Sequence, residues 1–262
     1  MKPLLLIALM CVPAAAEDDR PSLSVPEPTR QRSTPSPEGE FTIVQVDYND
    51  AIKERDYLSM AAQELVSYTS AAARLEVQLN WRMLSLDNPR IADALMLYMT
   101  GSDGVVRLSD AEKQGLAQYL RQGGFLYAED ILPLETDRRT LNAGITGTPF
   151  DRQFKALLKD PKVLGGQGGR WRKIPKNDPI YSSYFDFPDG PPMNGARRGN
   201  VFALEALELR GRTAVVFSDL NISWFWGNRD ADGRDRNLQF GTNLVVFALT
   251  KQFAGRPLPV GR

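Results

Sequence analysis

Ala94-Leu-Met-Leu-Tyr-Met99 is a continuous apolar run that stops abruptly at Thr100-Gly101-Ser102-Asp103-Gly104. A strand with one wet face alternates apolar and polar residues, so a run without alternation belongs to a strand covered on both faces by helices. Upstream, residues 41–46 (Phe-Thr-Ile-Val-Gln-Val) have strand character and end at Asp47-Tyr48-Asn49-Asp50. Between these two strands, Tyr57, Leu58, Ala61, Ala62, Leu65 and Val66 recur at helical spacing and predict a helix over 56–73. Residues 75–79 then alternate as a further strand.

Downstream, Ser109-Asp-Ala-Glu112 is a capping box that opens a helix ending at Gly123-Gly124. Phe125-Leu-Tyr-Ala128 reads as another buried strand, ending in Glu129-Asp130. Thr148-Pro149 has the form of an N-cap and first turn, with Phe150, Phe154, Leu157 and Leu158 on one helical face. Residues 201–209 and 213–217 read as neighbouring strands linked at Gly211, and a last helix over about 238–251 is apolar nearly all round. Alternation of strand and helix at this spacing predicts an α/β fold: a mainly parallel sheet with right-handed crossovers and helices on both faces. One such domain is expected over 40–262.

The composition restricts the chemistry. The 262 residues contain no histidine, and the one cysteine is Cys11. Ser-His-Asp triads, Cys-His dyads and zinc sites of nitrogen and sulfur ligands are therefore excluded from a mature chain lacking that cysteine. Cys11 lies in a segment, residues 1–16, that reads as an export signal: Lys2, an apolar run from Leu4 to Val12, then Ala14-Ala15-Ala16 as a cleavage pattern. The apolar run is too short to span a bilayer, which takes about 20 residues, and no later segment is a transmembrane candidate. A periplasmic or secreted location follows as the expectation. Cleavage removes one lysine and no acid, leaving a net charge near −1, and no basic excess of the kind nucleic-acid binding needs. Residues 17–39 are polar and dotted with Pro21, Pro26, Pro28, Pro35 and Pro37, the composition of a disordered linker.

Ligands of open α/β sheets bind beyond the carboxyl ends of the strands. That rule selects Asp47, Ser102, Asp103, Glu129, Asp130 and Asp219 as candidate ligand-binding residues. Clustered carboxylates favour a hard cation, Ca²⁺ or Mg²⁺, or a cationic group; the same residue types also cap helices and fill turns. Asn228, Asp230 and Asp232, followed by Gly233, have the alternate spacing of a calcium loop, but Gln239 stands where a bidentate Glu is wanted. Gly165-Gly-Gln-Gly-Gly169 lacks the Lys-Ser/Thr of a phosphate loop and reads as a surface turn. Trp224, Phe225 and Trp226 form an aromatic cluster expected in the core.

Several stretches together resemble a bacterial family, the domain of unknown function 4159: Leu97-Tyr-Met-Thr-Gly101, Leu108-Ser-Asp-Ala-Glu112, Leu120-Arg-Gln-Gly-Gly-Phe-Leu126, Asp178-Pro-Ile180 and Asn243-Leu-Val-Val-Phe-Ala-Leu249. The resemblance covers nearly all of 40–262. It implies a fold similar to class-I glutamine amidotransferases and their trehalose-utilisation-like relatives. It also implies export or membrane attachment, and a neighbourhood of MoxR-type ATPase and von Willebrand factor A-type partners. In amidotransferases the strand after a Gly-Gly turn leads to a cysteine nucleophile, with a later histidine as base. Here that stretch reads Phe125-Leu-Tyr-Ala-Glu129-Asp130, with neither. Ser102 and Asp178 stand where members of the resembled family often carry histidine.

The expected function is accordingly a non-catalytic exported domain that binds a protein partner or small ligand at the sheet's carboxyl edge, in cell-envelope maintenance. The alternatives are a carboxylate- or metal-assisted hydrolase at the same edge and a calcium-stabilised scaffold at Asn228 to Asp232.

Overall fold

The run beginning at Ala94 is the third strand of a seven-stranded sheet. A computed structural model of the chain describes residues 39–48, 56–73, 75, 77–101, 106–131, 149–196, 201 and 203–252, all of them within the unit Ser36–Arg262. The expected export signal over 1–16, the expected linker apart from Gly39, and Ser102 and Asp103 lie outside the described residues.

The strands are β1 (Glu40–Val46), β2 (Gln78–Leu84), β3 (Ala94–Gly101), β4 (Leu126–Asp130), β5 (Trp171–Lys173), β6 (Glu205–Leu209) and β7 (Arg212–Ser218). The helices are α1 (Asp56–Ala72), α2 (Asp110–Arg121), α3 (Pro149–Lys159), α4 (Ile222–Gly227) and α5 (Arg234–Gln252). Sheet order is β2-β1-β3-β4-β7-β6-β5. The first four contacts in that order are parallel and the last two antiparallel, so the expected α/β fold is present with a mixed, mostly parallel sheet. One face packs on α1, α4 and α5 through Ala61, Leu65, Trp226 and Leu244. The other packs on α2 and α3 through Leu116, Tyr119, Phe150 and Phe154. Burial on both faces is why β3 and β4 have no wet side chain.

Boundaries differ from the sequence reading where pairing decided them. The strand expected at 75–79 is β2, three residues later, held in unbroken register from Glu40↔Gln78 to Val46↔Leu84. The strand expected from 201 begins at Glu205, and its hairpin to β7 turns on Arg210 and Gly211, both with positive φ (52° and 75°). Two such residues are what a two-residue type I′ turn requires. β4 begins at Leu126, one residue later than expected, and ends in Glu129 and Asp130 as expected. Trp224 to Trp226 lie in the short helix α4, and Phe225 and Trp226 are buried as expected.

Two features of the sequence have plain structural roles. The Ser109–Glu112 capping box is complete: the Ser109 hydroxyl accepts from the Glu112 N–H (3.2 Å) and the Glu112 carboxylate accepts from the Ser109 N–H (2.8 Å). Asn243 and the Asp178-Pro-Ile180 stretch meet. The buried Asn243 amide donates to the carbonyls of Ile180 (3.1 Å) and Phe185 (2.8 Å), and its oxygen accepts from the N–H groups of Tyr184 and Phe185. Asp178 caps the turn before it by accepting from the Ile180 N–H (3.1 Å). These residues fasten the segment around 178–187 to α5. Gly165 to Gly169 form a 3₁₀ turn packed on the end of α3: a Cβ on Gly168 would fall 2.0 Å from the Leu158 carbonyl oxygen. No described helix is long and apolar enough to cross a membrane.

Candidate functional site

β1, β3, β4 and β7 are consecutive in the sheet and run the same way, so their carboxyl ends share one edge. Asp47 follows β1, Glu129 and Asp130 close β4, and Asp219 follows β7. The fold therefore brings these four candidate residues to one edge. It does not turn them the same way. Successive residues of a strand point to opposite faces. Glu129 accordingly joins the α4 side and Asp130 the Tyr48 side. Glu129 and Asp130 are fully buried, Asp219 is buried, and Asp47 is half-buried.

The Glu129 carboxylate is enclosed by donors. One oxygen accepts from the Ser218 hydroxyl (2.7 Å) and the Ile222 N–H (2.8 Å). The other accepts from the N–H and the hydroxyl of Ser223. Ser218 lies opposite Glu129 in the β4–β7 register, and its oxygen in turn accepts from the Leu220 N–H (3.1 Å). Two backbone donors thus come from the first turn of α4, where N–H groups have no partner within the helix. Asn221, in the left-handed region (φ 60°), reverses the chain there and donates from its side chain to the Gly195 carbonyl (3.2 Å). A carboxylate on β4 is therefore the cap that holds the β7–α4 connection against the sheet.

Tyr98 and Tyr127 form the floor. They sit opposite each other in the β3–β4 register, their rings stacked with centroids 6.2 Å apart and with Trp226 packed on both. Among the described residues neither buried hydroxyl completes a hydrogen bond of good geometry, although Ser223 and Thr100 adjoin the first and Ser218 and Glu129 the second. Burial, and then the Glu129 charge, push both phenols well above their ordinary range.

Burial likewise raises the Glu129 carboxyl; the donors from Ser223, Ser218 and Ile222 pull it down, and burial prevails. The folded protein then holds this proton to higher pH than the unfolded chain does. The group's contribution to stability is fully present below the unfolded value of about 4.3 and is lost as pH rises through the folded value. Denaturation measured across that window is expected to show stability falling with pH, and Glu129→Gln is expected to remove that component of the slope.

On the opposite face Tyr48 donates its hydroxyl to the Thr100 carbonyl, and burial followed by the Asp130 charge pushes the phenol up. Tyr48 and Phe150 close over Gly101, where a Cβ would come within 2.3 Å of the Phe150 ring and 2.5 Å of the Tyr48 oxygen. Gly101→Ala is expected to lower stability by about 1–3 kcal/mol in denaturant titration, because both rings must move. Asp219 accepts from the Val201 N–H (2.8 Å), which binds the approach to β6 to the end of β7.

The calcium-like loop follows the C-terminal end of α4. Asp230 and Asp232 are exposed, Asn228 ends α4, and the flanking Arg229 and Arg234 both pair with Glu64 of α1 (2.5 and 2.7 Å). Among the described residues no three His, Cys, Asp or Glu side chains come together in a group suited to a metal ion.

The sequence reading selects Glu129 and Asp219 but not Ser223, Tyr98 or Tyr127. The tyrosines had a signal, since each is the one residue with a polar head in its otherwise apolar stretch, Ala94–Met99 or Phe125–Ala128. Ser223 had none, because its role depends on a strand far away in the chain.

Fold and site together define a doubly wound α/β domain, mostly parallel, whose central strands end in a buried, hydrogen-bonded carboxylate. The chain belongs to the family described as Domain of unknown function (DUF4159), whose model matches residues 42–249. No curated protein matches it.

Proposed function

We propose that this domain is a binding module, a pseudoenzyme that takes a protein partner or small ligand at the carboxyl edge of its parallel strands. The observation that supports this reading most is the state of Glu129. Both of its oxygens are held by donors of the β7–α4 connection, leaving it positioned as a strut and not as a base or nucleophile. In this proposal the fold is of the class-I glutamine-amidotransferase type. Its elbow position carries Glu129 in place of cysteine, and no histidine stands behind it. Residues 1–16 direct export to the periplasm or beyond, 17–39 act as a flexible tether, and 40–262 do the binding. The partner is an envelope protein of the MoxR and von Willebrand factor A neighbourhood, and the role is envelope maintenance.

The test is site-specific photo-crosslinking of the full chain in envelope extract. A probe at Asp47, on the proposed edge, is compared with one at the exposed Gln122, beside the opposite ends of the strands. A discrete adduct from position 47 and none from 122 is expected. Hydrolysis of an amide, ester or phosphate by pure protein, abolished by Asp130→Asn, would replace this reading with the hydrolase. In the same material Ca²⁺ and Mg²⁺ are expected to leave the melting temperature unchanged. A rise with Ca²⁺ that Asp232→Ala removes would establish the calcium scaffold instead.

A further inference from the structure

The two edges of the sheet are unlike. β5 is three residues long, and two of them are Arg172 and Lys173. Short, charged strands are how natural sheets prevent edge-to-edge pairing. β2, at the other edge, has seven residues, no proline, no irregularity in its register with β1, and Arg82 as its one charge.

The ladder shows which backbone groups β2 turns outward. Gln78 donates its N–H to the Gly39 carbonyl (2.9 Å), and the Leu84 carbonyl accepts from the Asp47 N–H (2.8 Å). Alternation then directs the backbone groups of Gln78, Asn80, Arg82 and Leu84 toward β1, and those of Leu79, Trp81 and Met83 toward the open side. Among the described residues no strand pairs with that outer row.

We infer that the β2 edge is a dimer interface at which a second copy of this chain adds its own β2 antiparallel, with the two-fold axis at Trp81. The centring follows from the pattern. It pairs Trp81 with Trp81 and Leu79 with Met83, which are the residues that carry outward groups, and so forms about six main-chain hydrogen bonds, two for each directly opposed pair. The same register extends one apolar row, Leu79, Trp81 and Met83, across the junction. On the other face it sets Arg82 against Asn80, so no like charges oppose each other. Leu79 and Trp81 already pack on the α1 side of the core, so the joined row would continue an existing apolar layer. A one-residue shift would oppose outward groups to inward ones and is excluded by the same parity. A closed two-fold contact of this kind uses the same patch twice and leaves only the short, charged β5 edge at each end of the joined sheet.

Sedimentation equilibrium of the full chain, up to about 100 μM, should give twice the chain mass. Trp81→Lys and Trp81→Glu each place like charges across the axis and should weaken association about 100-fold. An equimolar mixture of the two should restore the double mass. Met83→Pro removes an outward N–H while leaving the β1 ladder intact, and should weaken the dimer with little change in melting temperature. This variant keeps the test valid if replacing Trp81 disturbs folding. A wild-type chain of single mass at every concentration would overturn the inference, as it would if another chain or segment occupies the edge. A dimer indifferent to Met83→Pro would overturn it equally.

Discussion

Replacing Glu129 with alanine is expected to lower the stability of the domain by about 3–5 kcal/mol, the scale for breaking a buried charged network by removing one partner. The reasoning rests on what is left behind. Without the carboxylate, the N–H groups of Ile222 and Ser223 and the hydroxyls of Ser218 and Ser223 lose their common acceptor in a buried place. Each such group bears its own desolvation cost of about 1–3 kcal/mol. Glu129→Gln keeps the shape and one acceptor oxygen but turns an NH₂ group toward donors, so a loss of roughly 2 kcal/mol is expected. Urea denaturation of the two variants beside the wild type measures this ordering directly. A loss below about 1 kcal/mol for the alanine variant would mean that the β7–α4 connection is held by something else.

Trp226→Ala is the second large effect, expected at about 3–5 kcal/mol. Trp226 is fully buried, its indole N–H donates to the Asn237 carbonyl (2.9 Å), and its ring covers both Tyr98 and Tyr127. Its removal opens a cavity under α5 and uncovers the two phenols next to Glu129, so the loss comes from packing and from the polar knot together. Residues in one network do not act independently. The double variant Glu129→Ala, Trp226→Ala is therefore expected to lose less than the sum of its parts. Denaturation gives the energies, and near-ultraviolet circular dichroism is expected to lose aromatic signal in Trp226→Ala. Strict additivity would separate the tryptophan from the site.

The layers of this fold were legible because apolar patterning is local. Ala94–Met99 and Phe125–Ala128 have no polar alternation, and the helices of 56–73 and 109–121 show their period or their cap within a few residues. What was not legible depends on pairing. β2 starts at Gln78 because β1 sets its register, and β6 starts at Glu205 because an Arg210–Gly211 turn joins it to β7. The candidate edge was legible for a similar reason: strand ends can be read one at a time, and the sheet order then placed β1, β3, β4 and β7 together. Direction of the side chains was not. Glu129 and Asp130 are adjacent in sequence and read as one group, yet strand alternation sends them to different faces. Nothing in the sequence near Glu129 announces that its partners are Ser218, Ile222 and Ser223, about ninety residues away.

Amide hydrogen exchange at Ile222 and Ser223 reaches the centre of this account. If Glu129 is the strut of the strand ends, these two N–H groups exchange as slowly as those of the β3 and β4 core, and Glu129→Gln frees them while α5 stays protected. Exchange in the wild type as fast as at the exposed Asp232 would mean that the carboxylate is not engaged, and Glu129 would again be available for chemistry.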